Sequence, residues 1–215
     1  MIRDLIERFD EVAGTVRAVL AELAPVDGLE ILLADVRSAF AELADEIPYA
    51  DRQDHVMFLP AFSVFVYLAI YQALRPRGYD AHRVGRAILA APVIEIGPSE
   101  KGAATIAEDA AASLGDAAPN EFAFELVEGG EESDYGMNIR ACAVCHAFGR
   151  HDATDLVPYM CALDDVVSDA TGQGLRRTGT IALGATHCDF RYKAGGEPLR
   201  LADQYPDQIR SGESA

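Results

Sequence analysis

The longest stretch without a charged residue, Val56 to Leu74, constrains the fold more than any other feature of the sequence. Its 19 residues approach the length that crosses a bilayer. However, Pro60, Ser63 and Gln72 interrupt it, and it stands alone in a chain of low overall hydropathy. We therefore predict the buried core helix of a globular domain rather than a membrane span.

The first half of the chain repeats apolar residues at intervals of three and four, which is the period of an amphipathic helix. Prolines end several of these stripes, and Asp80 and Ser99 are suitable caps at the start of two others. The predicted helices run from Ile2 to Pro25, from Leu29 to Leu43, from Pro60 to Pro76, from Ala81 to Ala91 and from Ser99 to Gly115.

The pattern changes after Pro119, where apolar and polar residues begin to alternate as in strands. The predicted strands are 121–128, 137–144, 175–183 and 186–192, with one helix at 158–170. We predict an α+β fold, in which a helical N-terminal half packs on a small, mostly antiparallel sheet with one inserted helix. Residues 1–118 and 119–202 would form one compact unit, followed by a flexible tail at 203–215.

The charge balance excludes some classes of partner. Eighteen Lys and Arg against 35 Asp and Glu give a net charge of −17. A chain this acidic repels phosphate backbones and anionic lipid surfaces, so we expect neither a nucleic-acid nor a membrane partner. The first residues do not resemble a secretory signal, so we expect a cytoplasmic protein with reduced cysteines. The sequence is compatible with a homo-oligomer.

All four cysteines fall between positions 142 and 188, which makes this region the strongest chemical signal in the chain. One interpretation is a structural zinc, because Cys142 and Cys145 have the spacing of a zinc knuckle. Cys161 and Cys188 would then complete a four-thiolate cage.

A catalytic thiol is the other interpretation. On a regular strand, Cys142 would share a polar face with Asn138 and Arg140, whose charge favours a thiolate. On a helix, Cys161 would share a face with Asp164 and Asp165, three and four residues further on. Either residue is a candidate nucleophile.

The last predicted strand alternates between two kinds of side chain. His187, Asp189 and Arg191 lie on one face, where they could polarise water and hold a carboxylate, while Cys188 faces the other way. Cys188 and Asp189 therefore should not enter one pocket. Residues 171–200 carry five cations and two acids, so we expect a small anionic ligand such as a carboxylate near this strand.

Three segments of the chain, DYGMNIRACAVCHAF, LVPYMCALDD and GLRRTGTIALGATHCDFRYK, resemble the L-2-amino-thiazoline-4-carboxylic acid hydrolase family. The resemblance extends over about residues 45–195. The ending, a glycine followed by Cys-x-Phe, is also similar to four-vinyl-reductase-type small-molecule sensor domains. The matching residues are Cys142, Cys161, Asp164, Arg177, Thr178, Thr180, Gly184 and the run 188–191.

The resemblance implies an enzyme that opens a cyclic isothiourea or amidine bearing a carboxylate, and thus a hydrolase of non-peptide carbon–nitrogen bonds. Its implied roles are a nucleophile or zinc ligand at Cys142 or Cys161, and an amidinium-binding proton relay at Asp164 or Asp189. Substrate binding would fall to Arg177 and Arg191, which hold the carboxylate, and to Thr178 and Thr180. The alternative is a non-catalytic small-molecule-binding module with a structural zinc held by the cysteines.

Overall fold

The computed structural model describes residues 1–92 and 103–209, and it divides the chain into two compact units. The first unit comprises Met1–Gly97 with Phe148–Leu156, and the second comprises Pro98–Ala147 with Val157–Ala215. The predicted cap at Ser99 and the end of the predicted tail, 210–215, lie outside the described residues.

The first unit is built from helices. They are α1 (Ile2–Glu11), α2 (Ala13–Ala21), α3 (Leu29–Leu43), α4 (Phe58–Leu74) and α5 (Ala81–Ala90). The single helix predicted from Ile2 is split, because Val12 leaves the helical conformation at φ −94° and ψ 6°. Gly14, which weakens helix propensity, lies two residues further on. The predicted cap of α5 is confirmed, since Asp80 accepts a hydrogen bond from the Arg83 amide at 2.7 Å.

The predicted core helix α4 is buried along thirteen of its seventeen residues. Its Phe62 ring meets Phe40 of α3 edge to face at 5.5 Å, and Phe40 packs on Phe9 of α1 at 4.9 Å. By length and composition alone, Phe58–Arg77 could cross a membrane, yet 78% of that window is buried inside the structure. A buried core helix of a soluble protein passes the same test.

The second unit holds a four-stranded antiparallel sheet in the order β1-β2-β4-β3, which confirms the α+β prediction. Its strands are β1 (Ala123–Glu128), β2 (Tyr135–Ala141), β3 (Leu175–Arg176) and β4 (Cys188–Tyr192). The remaining helices are α6 (Ala103–Asp116), α7 (Ala143–Arg150), α8 (Val157–Thr171) and α9 (Leu201–Gln204). The division between the units falls inside α7.

Two strand predictions are wrong in extent. The strand predicted to Val144 ends at Ala141, because the Cys142 carbonyl already accepts the first helical bond of α7, from the His146 amide at 3.1 Å. The strand predicted over 175–183 contains only two residues, after which the chain forms a loop. Two helices, rather than one, therefore lie between β2 and β3.

Gly136 should be intolerant of a side chain. It pairs with Arg191 across the sheet, and a Cβ placed there would lie 2.5 Å from the Phe190 carbonyl oxygen. We expect Gly136→Ala to lower the free energy of unfolding by about 1–3 kcal/mol. Gly149→Ala is the matched control, because no heavy atom lies within 4 Å of a Cβ there and alanine favours the helix. Urea unfolding of both variants tests this, and equal stabilities would contradict it.

Candidate functional site

The centre of the candidate site is Arg177, a guanidinium with only 1% of its side chain exposed. It follows β3 and reaches α8, where Nη1 donates to Asp164 Oδ2 at 2.7 Å and Nη2 donates to the Cys161 carbonyl at 2.6 Å. Its Cζ lies 4.5 Å from the centroid of the Phe190 ring on β4, within the range of a cation–π contact. Arg177 thus links α8 to β4.

The helix α8 supplies two neighbouring carboxylates with different surroundings. The Asp164 side chain is 44% exposed, whereas the Asp165 side chain is 7% exposed. Asp165 Oδ2 accepts a hydrogen bond from the Leu201 amide at 2.8 Å, and its Oδ1 lies 3.6 Å from Arg177 Nη2. Asp164 is therefore the carboxylate that a small molecule can reach, and Asp165 fixes the start of α9.

Burial and ion pairing oppose each other in this group. Burial alone would lower the pKa of Arg177, but Asp164, Cys161 and Asp165 raise it above its ordinary value, so the guanidinium stays charged. Burial raises the pKa of Asp164, while Arg177 acts against that rise. Asp164 is thus a stronger base than a carboxylate in water.

All four cysteines are free thiols, and three of them affect one another electrostatically. Burial raises the pKa of Cys161, and Cys142 and Cys188 add to that rise while Arg177 opposes it. Burial likewise raises the pKa of Cys188 to about 11. Cys188 is buried and its Sγ accepts a hydrogen bond from the Ile181 amide at 3.3 Å, whereas Cys161 is partly exposed.

Cys142 begins α7 instead of ending a strand. Its Sγ accepts a hydrogen bond from the Cys145 amide at 3.5 Å, in the manner of an N-cap. The thiol of Cys145 and then burial raise the pKa of Cys142 well above its ordinary value. The predicted polar strand face shared with Asn138 and Arg140 is therefore wrong for Cys142, because it lies beyond the end of β2.

The structure gives the predicted zinc cage no support. Within residues 1–92 and 103–209, no three His, Cys, Asp or Glu side chains are grouped so that they could hold a metal ion. Cys142, Cys145, Cys161 and Cys188 do not form such a group. Zinc loading therefore stays a prediction from spacing alone.

Asp189 is engaged in fixing a loop. Its carboxylate accepts hydrogen bonds from the Thr178 amide at 3.0 Å, the Thr178 hydroxyl at 2.5 Å and the Gly179 amide at 2.8 Å. This anchor sets the path of the chain directly after Arg177. Cys188 Sγ accepts from the Ile181 amide of the same loop.

Arg191 belongs to a network across the sheet. Its Nη2 donates to Asn138 Oδ1 at 3.0 Å, and its Nη1 donates to the Phe190 carbonyl at 2.7 Å. Asn138 in turn donates to Glu125 at 2.8 Å. Asp189 and Arg191 lie on β4 with different hydrogen-bond partners, and His187 lies directly before that strand.

Among the described residues, three buried side-chain atoms lack a hydrogen-bond partner. They are Arg177 Nε, Thr180 Oγ1 and Asp165 Oδ1. Thr180 is fully buried, and an unpaired buried hydroxyl is costly. Two of these atoms are donors, so they could bind an anionic oxygen. By contrast, the Thr178 hydroxyl and both Nη atoms of Arg191 already donate within the chain.

The sequence analysis missed the roles of Asp165 and Phe190. Asp165 follows Asp164 in the PYMCALDD segment. Helical spacing predicts that both lie near the face of Cys161, but it does not predict which of the two carboxylates is exposed. For Phe190 the available signal was strand alternation, which places its side chain on the same face as Cys188.

A surface cavity of about 320 Å³ lies elsewhere in the second unit. None of the residues described above lines it. Its wall consists of charged groups and one glycine: Glu131, Glu132, Arg176, Lys193, Gly196 and Glu197. This mixture of signs gives no preference for an anion, so we do not assign the candidate site to it.

Asp165 should make stability depend on pH. Burial raises its pKa to about 6, above the ordinary 3.8 that the unfolded chain restores. Between these values the folded chain binds more protons than the unfolded chain, so this residue makes stability fall as pH rises from about 4 to about 6. The change is on the order of 2–3 kcal/mol.

Asp165→Asn isolates that contribution, because the amide oxygen can still accept from the Leu201 amide. As pH rises from about 4 to about 6, we expect the free energy of unfolding to fall less in the variant than in the wild type. Urea unfolding of both chains at pH 4, 5, 6 and 7 gives the difference. Parallel stability profiles would contradict the assignment.

The sequence of this chain matches the model of a known protein family. A family model described as L-2-amino-thiazoline-4-carboxylic acid hydrolase matches residues 62–192, well over half of the chain. That span includes Cys142, Cys161, Asp164, Arg177 and β4. Searches of curated proteins and of solved structures found no similar chain. The chain therefore belongs to the L-2-amino-thiazoline-4-carboxylic acid hydrolase family.

Proposed function

We propose that this protein hydrolyses a small cyclic isothiourea or amidine that carries a carboxylate, and that it opens the ring. Membership of the hydrolase family supports the reaction class. The observation that carries the proposal is the buried Arg177, whose guanidinium binds both the Cys161 carbonyl and the reachable carboxylate of Asp164. A thiol, a base and a fixed cation thereby meet on one face of α8.

Cys161 is the preferred nucleophile among the thiols. Cys188 is buried and its sulfur accepts from the Ile181 amide, so a substrate reaches it less readily. Arg177 opposes the rise in the pKa of Cys161, whereas Cys145 and burial are the main causes that raise the pKa of Cys142. Cys161 is also partly exposed. It therefore combines access with a nearby cation that stabilises a thiolate.

The substrate itself supplies the charge that activates the thiol. Burial and neighbouring groups keep Cys161 protonated in the free protein. A ring amidinium bound at Asp164 would place a positive charge beside Cys161 and lower the pKa of its thiol. Asp164, whose own pKa is raised by burial, would accept the proton.

The reaction then follows two balanced steps. The Cys161 sulfur forms a bond to the amidine carbon, and the tetrahedral intermediate expels the ring nitrogen or sulfur, which takes the proton from Asp164. Water next attacks the same carbon, the bond to Cys161 breaks, and the thiol is restored. The net change is the addition of one water across one ring bond.

The buried donors offer a site for the substrate carboxylate. Arg177 Nε and Thr180 Oγ1 have no partner among the described residues, and both can donate to an anionic oxygen. Thr178, held by Asp189, and Arg191, held by Asn138, would position this loop and strand without touching the substrate.

The experiment is a turnover assay with the purified chain on 2-amino-thiazoline-4-carboxylate and on the same ring without the carboxylate. We expect ring opening of the first compound and a kcat/KM for the second that is lower by about 10²-fold, the loss typical of a missing charged contact. Binding of the carboxylated ring without any ring opening would contradict hydrolysis and favour the ligand-binding module.

A further inference from the structure

We propose that Cys142 and Cys145 form a redox-active dithiol, which small-molecule disulfides convert to an intramolecular disulfide. The hydrolase proposal leaves Cys145 without a role, and the structure gives the zinc interpretation of this pair no support. The pairing chemistry stands independently of the hydrolase, and only its effect on turnover rests on the proposed function.

The geometry brings the two thiols to the same place. Cys142 precedes α7, and Cys145 lies in its first turn, with its amide donating to Cys142 Sγ at 3.5 Å. The thiol of Cys145 is also the first cause of the raised pKa of Cys142, so the two sulfurs interact directly. Both side chains are partly exposed, so a small disulfide can reach them.

The spacing suits a disulfide. Cys142 and Cys145 have the Cys-x-x-Cys spacing of disulfide oxidoreductases, at the start of a helix. The other cysteines lack this arrangement, since Cys188 is buried on β4 and Cys161 lies inside α8.

The exchange needs one molecule of a small disulfide as the oxidant. In one order of attack, the Cys145 sulfur breaks the S–S bond of the reagent first. One small thiol leaves with the proton, and a mixed disulfide remains on Cys145. Cys142 then loses its proton, attacks the Cys145 sulfur and releases the second small thiol. Two protein thiols are oxidised, and the reagent disulfide is reduced to two thiols.

Oxidation of this pair would also affect the proposed catalytic thiol, Cys161. The Cys142 and Cys161 thiols lie close enough for Cys142 to raise the pKa of Cys161. A Cys142–Cys145 disulfide would remove a thiol that raises the pKa of Cys161, so it would favour the Cys161 thiolate. We therefore expect ring opening to increase in proportion to the disulfide that forms.

The test uses the full chain, reduced and then equilibrated with mixtures of reduced and oxidised glutathione. Acid quenching, alkylation of the remaining thiols and peptide mapping identify the pairs. We expect loss of alkylation at Cys142 and Cys145 together, with a mass about 2 Da below the reduced chain before alkylation. Glutathione mixed disulfides without pairing, or a pair involving Cys161 or Cys188, would overturn the proposal.

Two variants sharpen the result. Cys145→Ala should abolish pair formation, keep the basal ring-opening activity and show no change of activity with oxidised glutathione. Cys188→Ala should leave the pair unchanged. Because the mapping reads thiols rather than turnover, a chain with no hydrolase activity still reports whether the pair forms. Pair formation with unchanged turnover would separate the two proposals and overturn only the regulatory effect.

Discussion

Cys161→Ser should lower kcat for ring opening by at least about 10³-fold, the usual cost of replacing a nucleophile with a poorer one. The serine oxygen is nearly isosteric, so the contact between the Cys161 carbonyl and Arg177 should persist. Urea unfolding checks the fold of the variant, and its free energy of unfolding should differ from the wild type by less than about 1 kcal/mol. The loss would therefore report chemistry rather than structure.

Cys145→Ser is the matched control for this variant. It replaces another partly exposed thiol, which lies on α7 rather than α8. We expect kcat within about threefold of the wild type, as for a residue outside the reacting groups. If Cys161→Ser stays active while Cys142→Ser is inactive, the nucleophile is Cys142 and our choice is wrong.

Arg177→Met should produce the largest loss of stability, about 3–5 kcal/mol at pH 7. The side chain is 1% exposed, so methionine fills the same volume on the Phe190 ring. However, it leaves Asp164 and Asp165 without the cation that they face. The unpaired charge of the buried Asp165 accounts for most of the expected cost.

Arg200→Met is the control for the loss of an ion pair as such. Its partner is Asp169, and both side chains are about half exposed, so the pair contributes at most about 1 kcal/mol. Urea unfolding of both variants at pH 7 and pH 4 gives the comparison. The deficit of Arg177→Met should shrink at pH 4, where Asp165 is protonated. Equal losses for the two variants would contradict a central role for Arg177.

Much of the fold follows from local pattern. The stripes that predicted α3, α4 and α5 depend on residues three and four apart, and the alternation that predicted β1 and β4 depends on residues two apart. Short windows of the sequence were therefore enough to predict these helices and strands. The short run after Ala141 was ambiguous, because AVCHAF is apolar enough for a buried strand and equally suited to a helix.

The remaining features depend on contacts between distant residues. The predicted strand after Leu175 stops early because Asp189, from β4, binds the Thr178 and Gly179 amides. Likewise, Arg176 and Arg177 are adjacent in sequence, yet Arg176 is exposed and Arg177 is buried against α8. No local pattern distinguishes two neighbouring arginines, so the centre of the site could be named as a candidate but its partners could not.

The central claim, that Cys161 opens the ring through a covalent intermediate, is tested most directly by intact mass during a single turnover. Reduced protein in excess is mixed with 2-amino-thiazoline-4-carboxylate, quenched in acid at intervals and mapped. We predict a transient gain equal to the mass of the whole substrate, located on Cys161, which decays as product accumulates. Product formation through the entire time course with no mass gain on Cys161 would contradict the claim.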